Sequence, residues 1–466
     1  MSRNESSNSL PPAAFLRRME GMLGSDYPAF LASYREAPSR GLFLPAGRLT
    51  PEAFAQVCDF PVEKLPYLPG GYRFDTEKPG NHPLHHAGAF YVQDPSAMAT
   101  VSAAPLRKGM RCLDLCASPG GKSVQLAAGI GCDIGQGGFL ISNEFSPSRC
   151  KVLCSNLERM SSCIGSANTL VSNADAARVA RWYPAFFDLV LVDAPCSGEG
   201  MFRKDSKVAG EWTEGATAFC ARRQSQILQE AAKAVAPGGY LLYSTCTFSE
   251  EENEGVTKAF LGEHPAFSLC KVPVSLQAVT APGIDLPEAR RWYPHLAPGE
   301  GQYFVLLQRA DAGMRAEYPA FSDARQVLNG MELDAVTAFL EDALVPGGDL
   351  TLCKLKNGQI AAANFPVPAE NVFAVGITLG TVEKRRLVPH HQLFKALGSR
   401  FLRKIELGIG DERVRKYLSG GEILCDCDCG DGWAVVTLCG CVLGGAKVSG
   451  RVAKNHYPKG LRLPPN

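Results

Sequence analysis

Two cysteines lie just beyond apolar segments of the kind that form buried strands. Cys196 belongs to LVDAPCSGEGMF and follows Asp193, whereas Cys246 belongs to LLYSTCTFSEEENE and follows a serine and a threonine. A buried free cysteine usually acts as a small hydrophobic residue, which would explain either thiol alone. Two thiols in polar settings beside a carboxylate instead indicate covalent chemistry, in which one thiol attacks and the other assists release.

A second feature is the segment LDLCASPGGKS at residues 113–123, an apolar run that ends in small residues. Small residues let backbone N–H groups and a helix N-terminus approach an anionic or polar ligand. The segment matches neither a P-loop nor GxGxxG, because its glycines are adjacent and follow a proline. Glu144 and Asp175 end the next two strand-like segments, where carboxylates can hold ribose hydroxyls and an adenine amino group. Helix capping would explain each acid separately. It does not explain well why Glu144, Asp175 and Asp193 all stand at strand ends.

A thiol, a carboxylate and an adenosyl-type cofactor together suit methylation of carbon 5 of cytosine. Addition of a thiolate to carbon 6 turns the ring into an enamine that can attack a methyl sulfonium. The thiol needs activation, because only a few per cent of a free cysteine is thiolate at neutral pH. Asp193 is the candidate that stabilises charge at N3, and a base must later remove the proton on carbon 5.

The acids that follow Cys246 have a different interpretation. Glu250, Glu251, Glu252 and Glu254 are predicted to form the solvated start of a helix rather than to catalyse. Ser249 is its expected cap, and Glu252 stands at the spacing of a capping box.

The pattern of the segments that must position these residues predicts a doubly wound α/β domain. Between residues 111 and 309, short runs rich in Val, Ile and Leu alternate with amphipathic helical segments. The carboxyl ends of parallel strands form one rim, so both thiols and the small-residue loop are predicted to face one crevice. The predicted strands are residues 110–117, 137–144, 168–174, 186–195, 239–246 and 302–309.

The rest of the chain is predicted to form three further domains around this core, which is placed at residues 86–310. A small α+β domain at 1–85 precedes it, an α+β connecting domain spans 311–380, and a basic module follows at 381–466. The last segment carries 15 Lys and Arg against 8 Asp and Glu, although the 466-residue chain has a net charge of only +1. Such a surface is either merely solvated or able to bind nucleic acid.

Composition narrows the class of protein. With 45% hydrophobic and 20% charged residues, the chain is typical of globular proteins rather than disordered ones. No apolar run approaches the eighteen or so residues that span a bilayer. The 17 cysteines are scattered, odd in number and not preceded by a signal peptide, so reduced thiols in a cytoplasmic protein are expected.

Together these segments resemble the RsmF-type bacterial branch of the Nop/Sun family of RNA cytosine-5 methyltransferases. The resemblance covers nearly the whole chain, and the combination of DAPCSGEGMFRKD with STCTF is highly specific. Ser118 stands where the family usually has alanine, which is harmless in a small-residue turn. GLFLP at 41–45 lacks the Arg and Asn that usually follow GL, so no RNA contact is predicted there. The other matching segments are YVQDPSAM at 91–98, SNEFSPSRCKVLCSNLERM at 142–160, RRWYPHLAPGEGQYF at 290–304 and KNHYPKGLR at 454–462.

The resemblance implies a Rossmann-like core that uses S-adenosylmethionine, without a metal, and a C-terminal PUA-like β-barrel that binds RNA. It implies that Cys246 is the nucleophile and that Cys196 assists release. Lys122 is implied to lie near the target base, although a simple helix-start lysine is nearly as good an interpretation. The residues implied to bind the donor are Cys116, Ala117, Ser118, Pro119, Gly120, Gly121, Lys122, Glu144, Asp175 and Asp193.

The implied substrate is ribosomal RNA, in particular 16S rRNA of the small subunit, modified by a monomer. The same chemistry on tRNA and a non-catalytic RNA-binding assembly factor stay open as alternatives. A nicotinamide-dependent dehydrogenase is disfavoured because GxGxxG is absent. The cations and aromatic residues implied to contact RNA are Lys454, His456, Tyr457, Lys459 and Arg462.

A cluster of cysteines near the C-terminus raises the alternative of a zinc site. Its CxCxC pattern puts alternate residues on one face of a strand and differs from the CxxC knuckle of structural zinc. Strand-borne apolar cysteines are therefore the preferred interpretation. The cluster comprises Cys425, Cys427, Cys429, Cys439 and Cys441.

Overall fold

The N-terminal region combines short helices with a small antiparallel sheet. The structure is a computed structural model, and it describes residues 10–47, 49–76, 78–426 and 429–464. The sheet order is β2-β3-β1-β4. Its elements are α1 (Ala13–Leu23), α2 (Tyr27–Ser33), β1 (Gly41–Phe43), α3 (Pro51–Val57), β2 (Val62–Lys64), β3 (Gly71–Phe74), α4 (Pro83–His86), β4 (Tyr91–Val92) and α5 (Pro95–Ser102).

A large sheet with helices on both faces forms the centre of the molecule. Its strands are β5 (Arg111–Asp114), β6 (Phe139–Asn143), β7 (Thr169–Ser172), β8 (Phe187–Asp193), β9 (Val235–Thr245), β10 (Phe267–Cys270), β11 (Ala281–Gly283), β12 (Leu286–Trp292) and β13 (Gln302–Arg309). The helices of this region are α6 (Gly121–Ile130), α7 (Pro147–Ile164), α8 (Ala176–Trp182), α9 (Ser206–Glu211), α10 (Glu214–Ala234), α11 (Val256–Glu263) and α12 (Val274–Gln277).

The order of the strands confirms the predicted doubly wound topology. Five parallel neighbours run β7-β6-β5-β8-β9, so the chain winds outward from β5 in one direction and then in the other. β13 joins β9 in the antiparallel sense. All six predicted strands are present. The run from Leu189 to Val192 on β8 is fully buried, because helices cover both faces of a parallel sheet.

The C-terminal third contains two smaller sheets, of order β14-β15-β17-β18 and β19-β21-β22-β23-β20. The first includes an antiparallel hairpin of β14 and β15 whose turn contains Asn357 and Gly358. The helices and strands of this part of the chain begin with α13 (Gly330–Ala343), β14 (Leu352–Lys354), β15 (Ile360–Ala362), β16 (Val372–Val375), β17 (Ile377–Glu383), β18 (Arg386–Pro389) and α14 (His391–Leu397), of which β16 belongs to the central sheet. Those that follow are β19 (Lys404–Leu407), α15 (Glu412–Leu418), β20 (Ile423–Leu424), β21 (Gly432–Leu438), β22 (Cys441–Ser449) and β23 (Val452–Asn455).

Two strands cross the predicted domain limits. β4 belongs to the N-terminal sheet although it lies beyond residue 85, and β16 pairs with β7 at the edge of the central sheet. The domain boundaries therefore stay predictions. Among the described helices, none combines the length and apolar character needed to cross a membrane.

The N-terminal helices pack behind the loops that follow β8 and β9. Phe15 of α1 and Phe30 of α2 are fully buried and contact the ring of Phe248. Arg18 of α1 forms a 2.5 Å ion pair with the buried carboxylate of Glu199. The first helices therefore support the rim of the sheet.

Candidate active site

The sulfur atoms of Cys196 and Cys246 lie 3.2 Å apart. The two thiols follow parallel neighbouring strands, β8 and β9, in which Asp193 and Ser244 are paired in register. Residues that follow such strands emerge side by side at the same edge of the sheet. The structure thus brings together the two cysteines that the sequence placed on one rim.

Close backbone contacts fix the loops that carry these thiols. The N–H of Gly200 donates a 2.9 Å hydrogen bond to the carbonyl of Cys246. A Cβ at Gly200 would lie 2.6 Å from the carbonyl oxygen of Gly301 and 2.9 Å from that of Cys246. Since real side chains do not fit such spaces, only glycine permits this approach of three loops.

Asp193 is held by three side chains at the carboxyl end of β8. The ammonium group of Lys122, in the first turn of α6, donates a 2.8 Å hydrogen bond to one carboxylate oxygen. Ser244 donates to the other oxygen at 2.7 Å, and the amide of Gln302 lies 3.4 Å from it. Lys122 is therefore directed into the site by an ion pair, rather than into solvent as a simple helix-start lysine would be.

A cavity of about 340 Å³ lies beside this rim, between the ends of β5 to β8 and helix α10. Its volume falls in the range of small-molecule sites. Glu144 is buried at its wall and accepts a 2.9 Å hydrogen bond from the N–H of Ser146. Asp175 also lines the cavity and caps α8 by accepting from the N–H of Arg178 at 2.7 Å. Two carboxylates and the apolar side chains of Pro195 and Ile227 suit an adenosine group.

The small-residue loop enters this cavity only in part. Cys116 lines the cavity, whereas the polar groups of the next three residues form hydrogen bonds within the protein. The N–H of Ala117 donates to the carbonyl of Asn143, and the hydroxyl of Ser118 donates to the carbonyl of Arg149. The Pro119 carbonyl accepts from Tyr91, and the peptide bond before it is cis.

The two glycines of the loop allow tight packing rather than contact with the cavity. Gly120 has φ +116° immediately before α6, a conformation that favours glycine. A Cβ at Gly121 would lie 2.9 Å from the side chain of Gln93. Neither glycine, nor Lys122 or Asp193, is among the residues that line the 340 Å³ cavity.

Asn143 is a site residue that the sequence reasoning missed. Its amide donates to the carbonyls of Leu115 and Ala174, and its oxygen accepts from the hydroxyl of Ser172 at 2.8 Å. One buried side chain thus ties together the ends of three strands around the cavity. The sequence feature that could have identified Asn143 is an amide side chain at the end of an apolar strand, directly before Glu144.

The prediction of a solvated acidic helix start is wrong for two of the four acids. Glu250 and Glu251 are exposed, but Glu252 and Glu254 are fully buried on a π-helical turn, Glu251–Gly255. The Ser249 hydroxyl accepts a 3.4 Å hydrogen bond from the N–H of Glu252, but the residue directly before the turn is Glu250, not the predicted cap Ser249. The buried carboxylates instead bind groups from other segments, which the spacing alone does not reveal.

The environment of Cys196 disfavours its thiolate. Its hydrogen bond to Cys246 and then burial raise the pKa of Cys196 well above the usual range, and the charge of Glu252 acts in the same direction. A negative charge on both sulfurs, 3.2 Å apart, would be strongly repulsive. The contact and the burial therefore favour the S–H form of Cys196.

The residues predicted to contact RNA are not all accessible. Lys454 and Lys459 are exposed, whereas Tyr457 is buried, with its hydroxyl 3.1 Å from Nδ1 of His86. Its ring is therefore not available to stack on a base. His456 lies 2.9 Å from the carbonyl of Pro389, and the guanidinium of Arg462 donates to the carbonyl of Tyr457, so both support the local fold.

The C-terminal cysteine cluster is only partly described, because Cys427 lies outside the described residues. The sulfurs of Cys425 and Cys429 are 3.8 Å apart, and Cys441 is buried on β22. In the described ranges, no group of three or more His, Cys, Asp or Glu side chains is arranged to hold a metal ion. The absence of a metal stays a prediction.

Three family models match the chain in succession. The model of the N-terminal domain of 16S rRNA methyltransferase RsmF matches residues 11–95, that of 16S rRNA methyltransferase RsmB/F matches 102–308, and that of the methyltransferase RsmF PUA domain matches 404–463.

Curated relatives match over the whole length. Ribosomal RNA small subunit methyltransferase F of Aeromonas hydrophila subsp. hydrophila is 29% identical over 487 residues, with 97% of this chain and 98% of the relative covered. The protein of the same name from Vibrio vulnificus is 29% identical over 480 residues, with 98% of each chain covered.

Solved structures share the fold at lower identity. NSun6 from Pyrococcus horikoshii, crystallised with SFG, superposes with a TM-score of 0.55 at 19% identity, covering 65% of this chain and 99% of that chain. A methyltransferase homolog protein from the same organism gives 0.54 at 21% identity, covering 64% and 94%.

Proposed function

Because the chain belongs to the RsmB/F family of 16S rRNA methyltransferases, we propose that it methylates carbon 5 of a cytosine in 16S rRNA through a covalent bond to Cys246. Family membership confirms the predicted methyltransferase core, N-terminal domain and C-terminal PUA domain. The observation that carries the covalent mechanism is the contact between two thiols on adjoining strand ends, beside a carboxylate paired with lysine.

The reaction begins with attack on a base that has left its stack, as base-modifying enzymes require. The thiolate of Cys246 adds to carbon 6, and the electron pair of the C5–C6 double bond shifts into the ring toward N3. The ammonium group of Lys122 supplies the positive charge that stabilises the ring, and Asp193, whose carboxylate accepts its hydrogen bond at 2.8 Å, holds this group in place. Fixed charges in a partly buried site stabilise such a transition state because they need little reorganisation.

The cavity beside the rim is the proposed site of S-adenosylmethionine, which supplies an electrophilic methyl group when bound. Glu144 offers a buried carboxylate to the ribose hydroxyls, and Asp175 offers one to the adenine amino group. Pro195 and Ile227 provide apolar contact for the purine ring. The methylated carbon 5 then carries both a proton and a new methyl group.

Release requires a base, and the same contacts explain when Cys196 can serve as one. Once Cys246 is bonded to carbon 6, its hydrogen bond and charge no longer raise the pKa of Cys196. Cys196 then releases its S–H proton to water, and the resulting thiolate takes the proton from carbon 5. The C5–H electrons restore the C5–C6 double bond, and the C6–S electron pair returns to Cys246. The proposed order of steps depends on this contact between the two sulfur atoms.

RNA that contains 5-fluorocytosine tests this mechanism, because fluorine at carbon 5 blocks the elimination. Wild-type protein with S-adenosylmethionine should form an adduct that survives denaturing electrophoresis, and Cys246→Ala should form none. Cys196→Ala should accumulate adduct even on unmodified RNA. Equal loss of adduct in both variants would reverse or refute the two roles.

The choice of RNA is tested separately by methyl transfer to 16S rRNA, assembled small subunits and tRNA, followed by mapping of the modified base. Transfer to tRNA alone would overturn the proposed substrate. RNA contacts by Lys454 and Lys459, the monomeric state and the cytoplasmic location stay predictions.

A further inference from the structure

Glu252 is a buried carboxylate beside the cysteine pair that the mechanism above leaves without a role. Its side chain is fully buried, and its carboxylate accepts three hydrogen bonds. The N–H and the hydroxyl of Ser197 donate at 3.0 and 2.5 Å, and the amide of Gln224 donates at 2.8 Å. Because every partner is a donor, these contacts suit an ionised carboxylate.

These contacts reach the backbone on both sides of Cys196. Ser197 is the next residue in the chain, and the Gln224 amide also donates to the carbonyl of Pro195, the preceding residue, at 3.0 Å. Glu252 therefore fixes the backbone on both sides of Cys196, directly at Ser197 and through Gln224 at Pro195. A buried charge with several hydrogen bonds is costly to displace, so the position of the loop is firmly set.

The same network reaches the second cysteine. The Ser197 hydroxyl lies 2.8 Å from that of Thr247, the residue after Cys246. Since Ser197 donates its proton to Glu252, it accepts the proton of Thr247. One carboxylate thereby fixes the neighbours of both thiols, and their separation depends on it.

Charge adds a second effect, because Glu252 is the carboxylate that disfavours a thiolate at Cys196. The other ionisable groups near this region are Cys246 after β9, Tyr243 on β9, Cys220 and Arg223 on α10, and Glu199 in the loop after β8. Arg223 is the cation of this group, and it opposes the effect of Glu252 at Cys220, whereas the main groups that shift the pKa of Cys196 are Cys246 and Glu252.

We propose that Glu252 is a positioning residue that holds Cys196 against Cys246 and reserves the attack on cytosine for Cys246. The inference rests on the proposed covalent mechanism. It adds a residue that determines which thiol attacks the base and which assists release. Removal of its charge should disturb Cys196 before any substrate is bound.

The first experiment needs no RNA. Alkylation of Cys196 by iodoacetamide at several pH values between 7 and 10, followed peptide by peptide with mass spectrometry, reports the thiolate fraction of that residue. Glu252→Gln should raise the alkylation rate of Cys196 several-fold at each pH, because a nearby negative charge is removed. Glu250→Gln, an exposed acid one residue before the same turn, should leave this rate unchanged. An unchanged rate in Glu252→Gln overturns the charge effect.

The second experiment measures adduct on unmodified RNA. Glu252→Gln should raise the covalent fraction several-fold over wild type, because a displaced Cys196 removes the carbon 5 proton slowly, and Glu250→Gln should match wild type. A covalent fraction equal to wild type in Glu252→Gln overturns the positioning role. Absence of adduct in wild type on 5-fluorocytosine RNA would instead refute the proposed function, while the change in alkylation rate would still measure the contact between Glu252 and Cys196.

Ser197→Ala keeps the proposal testable if Glu252→Gln does not fold, as judged by thermal melting. This change removes the hydroxyl that joins Glu252 to Thr247 but keeps the N–H bond and the charge. It should raise the adduct fraction without changing the alkylation rate of Cys196. No rise in adduct would contradict the positioning role.

Discussion

The side-chain nitrogen of Lys122 lies 2.8 Å from a carboxylate oxygen of Asp193, and the lysine side chain is only 10% exposed. An ion pair shielded in this way acts on charge that develops nearby more strongly than one in water. It joins the first turn of α6 to the end of β8, next to the cysteine pair.

We predict that Lys122→Met and Asp193→Asn each lower the rate of methyl transfer by about 10²- to 10³-fold, since each removes a fixed charge from the transition state. Single-turnover transfer of a radiolabelled methyl group measures the effect. Lys151→Met, an exposed lysine on α7, is the matched control and should retain the wild-type rate. Full activity in Lys122→Met would show that the ion pair is structural.

Glu144→Gln is predicted to weaken binding of S-adenosylmethionine by roughly 10- to 100-fold, because a charge-assisted hydrogen bond to the ribose becomes a neutral one. Isothermal titration calorimetry of the RNA-free protein measures the affinity. Asp175→Asn should also bind more weakly but keep its thermal stability, since asparagine caps a helix as well as aspartate. Wild-type affinity in both variants would place the donor elsewhere.

Arg291→Met is predicted to destabilise the fold by about 3–5 kcal/mol, because it leaves the carboxylate of Glu254 buried without its partner. Arg291 and Glu254 are 2% and 0% exposed, and Arg291 also donates to the carbonyl of Phe248. Urea unfolding followed by circular dichroism gives the free energy. Lys258→Met, which breaks an exposed pair with Asp285, should change it by less than about 1 kcal/mol. Similar losses in both variants would mean that burial of the Arg291 pair has no special effect.

His85 and His86 should each contribute to a fall in the free energy of unfolding as pH drops from about 7 to about 5. Burial lowers the pKa of His85 to about 2 and that of His86 to about 4. In the unfolded chain both rings take up protons near their ordinary pKa of about 6.5, so acid favours the unfolded state. The stabilisation by the two neutral rings is complete above the ordinary pKa of histidine. It is lost as pH falls toward the pKa values of His85 and His86 in the folded protein. Urea unfolding at both pH values measures the change.

His86→Gln should reduce this pH dependence, because the amide can still reach the Tyr457 hydroxyl and does not titrate. An equal fall in His86→Gln and wild type would assign the effect to other groups.

The sequence predicted the parts of the fold that depend on local pattern. The buried run of β8 and the small-residue loop before α6 both carry their signal within a few residues. Glu252 and Glu254 show where local pattern fails, because the spacing of a capping box is the same whether the acids face water or the interior. Their burial depends on Ser197 and Arg291, which are distant in sequence.

Contacts between residues that are distant in the sequence could not be predicted either. The ion pair of Arg18 with Glu199 joins residues 181 positions apart, and neither sequence segment contains a sign of the other. The same holds for Asn143, whose role appears only when three strand ends meet. Such contacts are set by the assembled sheet rather than by any segment.

The pairing of β16 with β7 has a consequence for the size of the smallest stable unit. β16 comes from the chain after residue 310, yet its backbone satisfies the outer edge of β7. Proteolytic trimming after residue 310 would uncover that row of N–H and C=O groups, which is a ready template for another chain. Such a fragment should aggregate even though it keeps both cysteines and the cavity beside them.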